Sequence, residues 1–158
     1  MRRSQAALPA LSRRDLHRMA LTAALAPWAA ACALAQGTPV RWQVNPFSLG
    51  VASGQPQPTS VVLWTRLLIH EADAAQRAQG VPVVCELFAD EALRQPVRQW
   101  RLNADPSRGH SLHVLADGLQ PGRHYWYRFV SGHAVSPVGR TRTSPALNEP
   151  VRRLRLAL

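Results

Sequence analysis

Lysine is missing from this chain: all nineteen of its basic residues are arginine. That removes Schiff-base chemistry and any lysine-dependent phosphate loop. Methionine occurs only at Met1 and Met19, so no Met/His cluster for copper can form in the body of the chain. There are two cysteines, Cys32 and Cys85. If Cys32 lies in a removed leader, as argued below, no intradomain disulfide can form, and Cys85 inside "VPVVCELF" reads as a small buried strand residue. Acidic residues number only nine, leaving a net charge of +10.

A surplus of that size raises the question of nucleic acid, and the distribution of the arginines argues against it. Arg2, Arg3, Arg13, Arg14 and Arg18 fall in the first twenty residues, and Arg152, Arg153 and Arg155 crowd near the other end. The rest are scattered among apolar residues and are expected to face water on strands. Nucleic acid is therefore not an expected partner.

The first 35 residues read as an address. "SRRDL" opens it, and a stretch without charge runs from Met19 to Leu34, rich in alanine. This stretch is too short and too weakly apolar for a comfortable membrane span. It closes on Ala33-Leu34-Ala35, a small-x-small cleavage pattern, which completes the layout of a signal peptide. The pair Arg13-Arg14 before a weakly apolar run makes it a twin-arginine-type signal, with the matching export machinery as a partner. An ordinary secretory signal with a chance arginine pair stays open. So does lipidation at Cys32, the single route to a membrane, although Ala29-Ala30-Ala31 lacks the usual leucine. The mature protein is expected to begin near Gln36 and to work in the periplasm or outside the cell.

Beyond the leader, short strand-like runs alternate with turn residues: 47–52, 60–67, 81–89, 97–103, 110–116, 124–130 and 138–143. One polar, alanine-rich stretch, "HEADAAQRAQG", suits a loop or short helix. Seven short strands in about a hundred residues argue for an all-β, immunoglobulin/fibronectin-III-like β-sandwich. "LQPGRHYWYRF" strengthens this. A tyrosine at the start of the sixth strand can fold into the corner and bond backbone a few residues upstream. Leu119 would plug the core, Pro121 stiffen the bend and Tyr125 close it. Tyr125, Tyr127 and Phe129 would share the inner face, with Trp126, Arg128 and Val130 outside.

The search for chemistry returns no catalytic, cofactor-binding or metal-ligating residue. The run Gly50–Gly54 lacks the Gly-Lys-Ser/Thr ending and the following helix of a phosphate loop, so its glycines are expected to permit a bend between the first two strands. His110 and His113 are three apart on a strand-like run, hence on opposite faces. His124 and His133 lie at strand ends without a carboxylate companion. Glu86 is mid-strand while Asp90 and Glu91 begin a turn, a solvated edge and not a hard-ion site. Asp117, before Gly118, is a turn residue.

"FSLGVASGQPQPTSVVLWTRL" (47–67) resembles the opening of the PhoD-like alkaline phosphatases, which show Phe-x-x-Gly-Val-Ala-Ser-Gly-Asp-Pro and then Ser-Val-Val-Leu-Trp-Thr-Arg. Gln55 replaces the usual Asp, and Cys85 stands where a tryptophan is expected. "HSLHVLADGLQPGRHYWYRF", "SPVGRTRT" (136–143) and the twin-arginine leader are similar to the same family. The resemblance implies an exported two-domain enzyme: an amino-terminal sandwich, then a metallophosphatase domain that uses iron and calcium to hydrolyse phosphate mono- or diesters. On this reading 1–35 is leader, 36–45 linker and 46–146 sandwich. Residues 147–158 would be a linker and the first strand of the metallophosphatase domain, whose ligands would lie later in the chain. The chain alone is then expected to be a non-catalytic fragment, with the metallophosphatase domain as its partner. The alternative is a free-standing exported β-sandwich that binds a protein or carbohydrate.

Overall fold

The computed structural model describes residues 40–150. The expected leader (1–35) and the expected terminal strand lie outside that range. Eight strands follow one another: β1 (Val51–Gly54), β2 (Val61–Arg66), β3 (Val81–Phe88), β4 (Pro96–Ala104), β5 (Ser111–Ala116), β6 (His124–Ser131), β7 (Ala134–Val135) and β8 (Gly139–Arg142). They form two antiparallel sheets. One has the order β1-β2-β5; the other runs β4-β3-β6-β7, with β8 also pairing with β6. The fold is an all-β sandwich of the immunoglobulin/fibronectin kind. Its fourth strand sits beside the third, and not beside the fifth as in immunoglobulin constant domains.

Period-two alternation builds the core. Val61, Leu63 and Thr65 of β2, Val81, Val83, Cys85 and Leu87 of β3, Leu112, Val114 and Ala116 of β5, and Tyr125, Tyr127 and Phe129 of β6 all point between the sheets and are buried. Burying one aromatic of this set stabilises by about 2–3 kcal/mol. The corner forms as the sequence predicts: Leu119 and Tyr125 are buried, and the Gln120 N–H donates to the Tyr125 hydroxyl at 2.9 Å. Tyr127 and Phe129 meet edge to face, with ring centroids 6.2 Å apart.

Four local expectations differ from the structure. The first strand begins at Val51 and not at Phe47: Asn45 Oδ1 accepts the Phe47 N–H, Gly50 N–H bonds Phe47 C=O, and this turn drops Phe47 into the core at 1% exposure. The bend between β1 and β2 is not made by its glycines. Gly50 (φ 73°) precedes β1, and Gln55 (φ 50°) takes the left-handed conformation after it. His110 lies ahead of β5 at φ 56° and not in it. Ahead of the last run lies a strand the sequence does not predict, β7, separated from β8 by Ser136-Pro137-Val138, because Pro137 has no N–H to give to the ladder.

The stretch 36–45, expected as linker, places Trp42 in the core, where its Nε1–H donates to Ser131 Oγ at 3.2 Å. Beside it, "EADAAQ" forms a kinked 3-10 segment (Glu71–Gln76). Buried Asp73 there accepts the Gln43 and Val44 N–H groups at 2.9 and 3.1 Å.

Candidate functional site

Most of the described carboxylates serve structural roles. Asp73 holds the entering chain, Glu86 pairs with Arg128 at 2.7 Å, Asp117 with Arg98 and Glu71 with Arg77. Asp90 accepts the Arg94 and Gln95 N–H groups of its turn, and Asp105 caps the short 3-10 turn Pro106–Arg108 through the Ser107 N–H at 2.7 Å. The Ser107 hydroxyl and N–H together hold Asp105 below the usual aspartate range. Glu86, Asp90 and Glu91 do not converge, and among the described residues no three His, Cys, Asp or Glu side chains come together to hold a metal. The donor set described here therefore does not fit an iron–calcium pair.

Nor do the histidines assemble. His110 is buried, with its ring nitrogens 3.0 and 3.1 Å from the Ala104 and Arg77 carbonyl oxygens, while His113 is exposed on β5. The two lie apart, His110 buried ahead of the strand and His113 exposed on it. Cys85 is fully buried, and burial pushes its thiol up to about 12, which leaves almost no thiolate at neutral pH. Trp100 is its cross-strand neighbour on β4 and packs against the core, supplying an aromatic beside the cysteine.

Among the described residues, a feature with open, unbalanced chemistry lies where the edges of the two sheets meet. A cleft of about 680 Å³ runs between the end of β1 (Ser53, Gly54, then Pro56) and the start of β6 with β8 (His124, Arg140, Arg142). Gly139 precedes Arg140 of this wall on β8. A Cβ there would sit 2.3 Å from Tyr127 Cζ, so only glycine lets that ring lie across β8. Burial raises the pKa of the Tyr127 hydroxyl, and the Ser53 side chain on the other sheet works against that rise. Thr141 on β8 and Thr143 just after it are buried, whereas Arg140 and Arg142 point out, opposite Trp126 and His124 of β6. Arg142 Nε donates to Gly122 C=O at 3.0 Å. Partial desolvation, then the charges of Arg142 and Arg140, hold His124 below the ordinary histidine value.

Sequence reading treats these arginines as solvated strand positions and misses the cleft. The available signal is the run "GRTRT", whose alternation puts both guanidinium groups on one face. The cleft draws on three of the stretches that carry the family resemblance: 47–67 through Ser53, the "HYWYRF" run through His124, and "SPVGRTRT" through its arginines.

Comparisons with known proteins agree with these motifs. The family described as "PhoD-like phosphatase, N-terminal domain" matches residues 31–145. Alkaline phosphatase D of Bacillus subtilis (strain 168) is 52% identical over 102 residues, covering 64% of this chain and 18% of that protein. A solved structure of PhoD is 47% identical at a TM-score of 0.65, over 71% of this chain and 22% of the other. The sensor domain of the anti-sigma factor RsgI4 of Pseudobacteroides cellulosolvens, 9% identical with a TM-score of 0.50 over 61% and 93%, shares the fold alone. The chain thus spans about a fifth of the length of the PhoD relatives it matches. By the match over most of its length, this chain belongs to the PhoD-like phosphatase family and carries that family's N-terminal domain.

Proposed function

We propose that this chain is the non-catalytic amino-terminal sandwich of an exported PhoD-like alkaline phosphatase or phosphodiesterase. Hydrolysis of phosphate esters is assigned to a metallophosphatase domain using iron and calcium, outside the residues described here. The observation that carries the reading is the family match over 31–145 by a chain spanning only 18% of its curated relative. The engagement of seven described carboxylates in caps, turns and ion pairs supports it. The leader motif at Arg13-Arg14 supports export.

The test is hydrolysis of p-nitrophenyl phosphate by the 158-residue chain with iron and calcium added. The expected rate is the buffer background. Turnover above it that disappears on chelation would overturn the assignment.

A further inference from the structure

We propose that the cleft between β1 and β8 binds a phosphate group, held between Arg140 and Arg142 with His124 beside them. The folded chain explains the other residues of "GRTRT". Gly139 makes room for Tyr127, and Thr143 Oγ1 accepts the Arg123 N–H while donating to Gln120 C=O. Nothing in the packing asks for arginine at 140 or 142. Arg140 makes no hydrogen bond or ion pair among the described residues. Arg142 spends only its Nε–H on Gly122, which anchors the group and leaves its four terminal N–H donors unused there.

Their placement is electrostatically unfavourable by itself. Arg142 sits directly across from His124, Arg140 is on the same face, and no carboxylate lines the cleft. Of the acids on the neighbouring surface, Glu86 is occupied by Arg128, and Glu149, close to Gly122, accepts the Ala146 N–H at 3.4 Å. Two guanidinium groups with free N–H forks suit a tetrahedral oxyanion, which can accept from both at once. On the facing bank Gly54 carries no side chain, and a Cβ there would meet nothing within 4 Å, so the approach is open. At about 680 Å³ the cleft has room for an organic substituent beside the phosphate. Phosphate retention here needs no turnover elsewhere in the protein.

Gln55 supplies the discriminating variant. It lies between Gly54 and Pro56, both on the cleft wall, at φ 50°, a conformation that Asp and Asn adopt more readily than Gln. Gln55→Asp brings a carboxylate to the arginines with no backbone penalty, and Gln55→Asn makes the same backbone change without charge. Amide chemical shifts of the 158-residue chain would be followed through the millimolar range with inorganic phosphate, with dimethyl phosphate and with sodium chloride at matched ionic strength. Saturable shifts at His124, Arg140 and Arg142 are expected with a phosphate species and not with chloride. Saturation by inorganic phosphate alone identifies the free ion as the ligand, and saturation by dimethyl phosphate identifies the ester. Gln55→Asp should weaken the Kd at least about fivefold, as one added surface charge does, while Gln55→Asn leaves it unchanged. Absence of saturable shifts with both phosphate species would overturn the proposal, as would equal affinity in the two Gln55 variants.

Discussion

At the scale of the residue, Tyr125 is legible because its role depends on neighbours within six residues, Leu119 and Pro121, and on the strand it opens. Removing its hydroxyl strands the Gln120 N–H, so Tyr125→Phe is expected to cost about 1–2 kcal/mol in chemical denaturation with an unchanged m-value. The left-handed backbone of Gln55 was not legible. Glutamine has no special preference for positive φ, and only the meeting of β1 with β2 imposes it. His124 gives a pH signature. Its folded pKa is depressed, so the proton binds more tightly to the unfolded chain. The stability it protects is present above the ordinary histidine value and is lost as pH falls through the folded one. Thermal midpoints of the wild-type chain should therefore drop more from about pH 7 to about pH 5 than those of His124→Gln. Equal drops would show that the ring is not strained by Arg140 and Arg142.

At the scale of the element, hydrophobic alternation located β2 to β6 to within a few residues, because each has one face in the core and one in water. It failed at both ends of the sandwich, where other interactions decide. In the run from Phe47 the apolar residue is buried from a turn and not from a strand. At the other end, the gap at Pro137 between β7 and β8 is bridged by Ser136, whose Oγ accepts the buried Phe129 N–H at 2.9 Å and donates to Pro137 C=O at 2.8 Å. The side chain thereby stands in for the ladder bond that the break removes. Ser136→Ala leaves the Phe129 amide buried and unmatched, and a loss of about 1–3 kcal/mol is expected. Amide exchange at Phe129 should rise with it. Unchanged exchange would mean that water already reaches that position.

At the scale of the molecule, the sandwich could be read from seven runs and one corner, since these report local periodicity and local turns. The cleft could not. It exists only where the edges of two sheets come together across some seventy to ninety residues of chain, and neither bank announces the other. What the leader does is open to direct measurement. Residues 1–35 fused to a folded reporter should direct its export, and replacing Arg13 and Arg14 by lysine should abolish it, as read by the reporter's activity in the periplasmic fraction. Export of the lysine variant at the wild-type level would assign the leader to the secretory route for unfolded chains instead.

Beyond β8 the chain does not simply run off the sheet edge. Ser144 N–H bonds Gln57 C=O at 3.1 Å and its hydroxyl bonds Pro56 C=O at 2.7 Å, while Thr143 N–H bonds Arg123 C=O at 3.1 Å. A pull applied at this end would meet bonds to two separate loops under simultaneous load, and could not peel β8 away one rung at a time. The exit therefore acts as a riveted mount, passing torque and tension into the body of the sandwich and not into a swivelling tether.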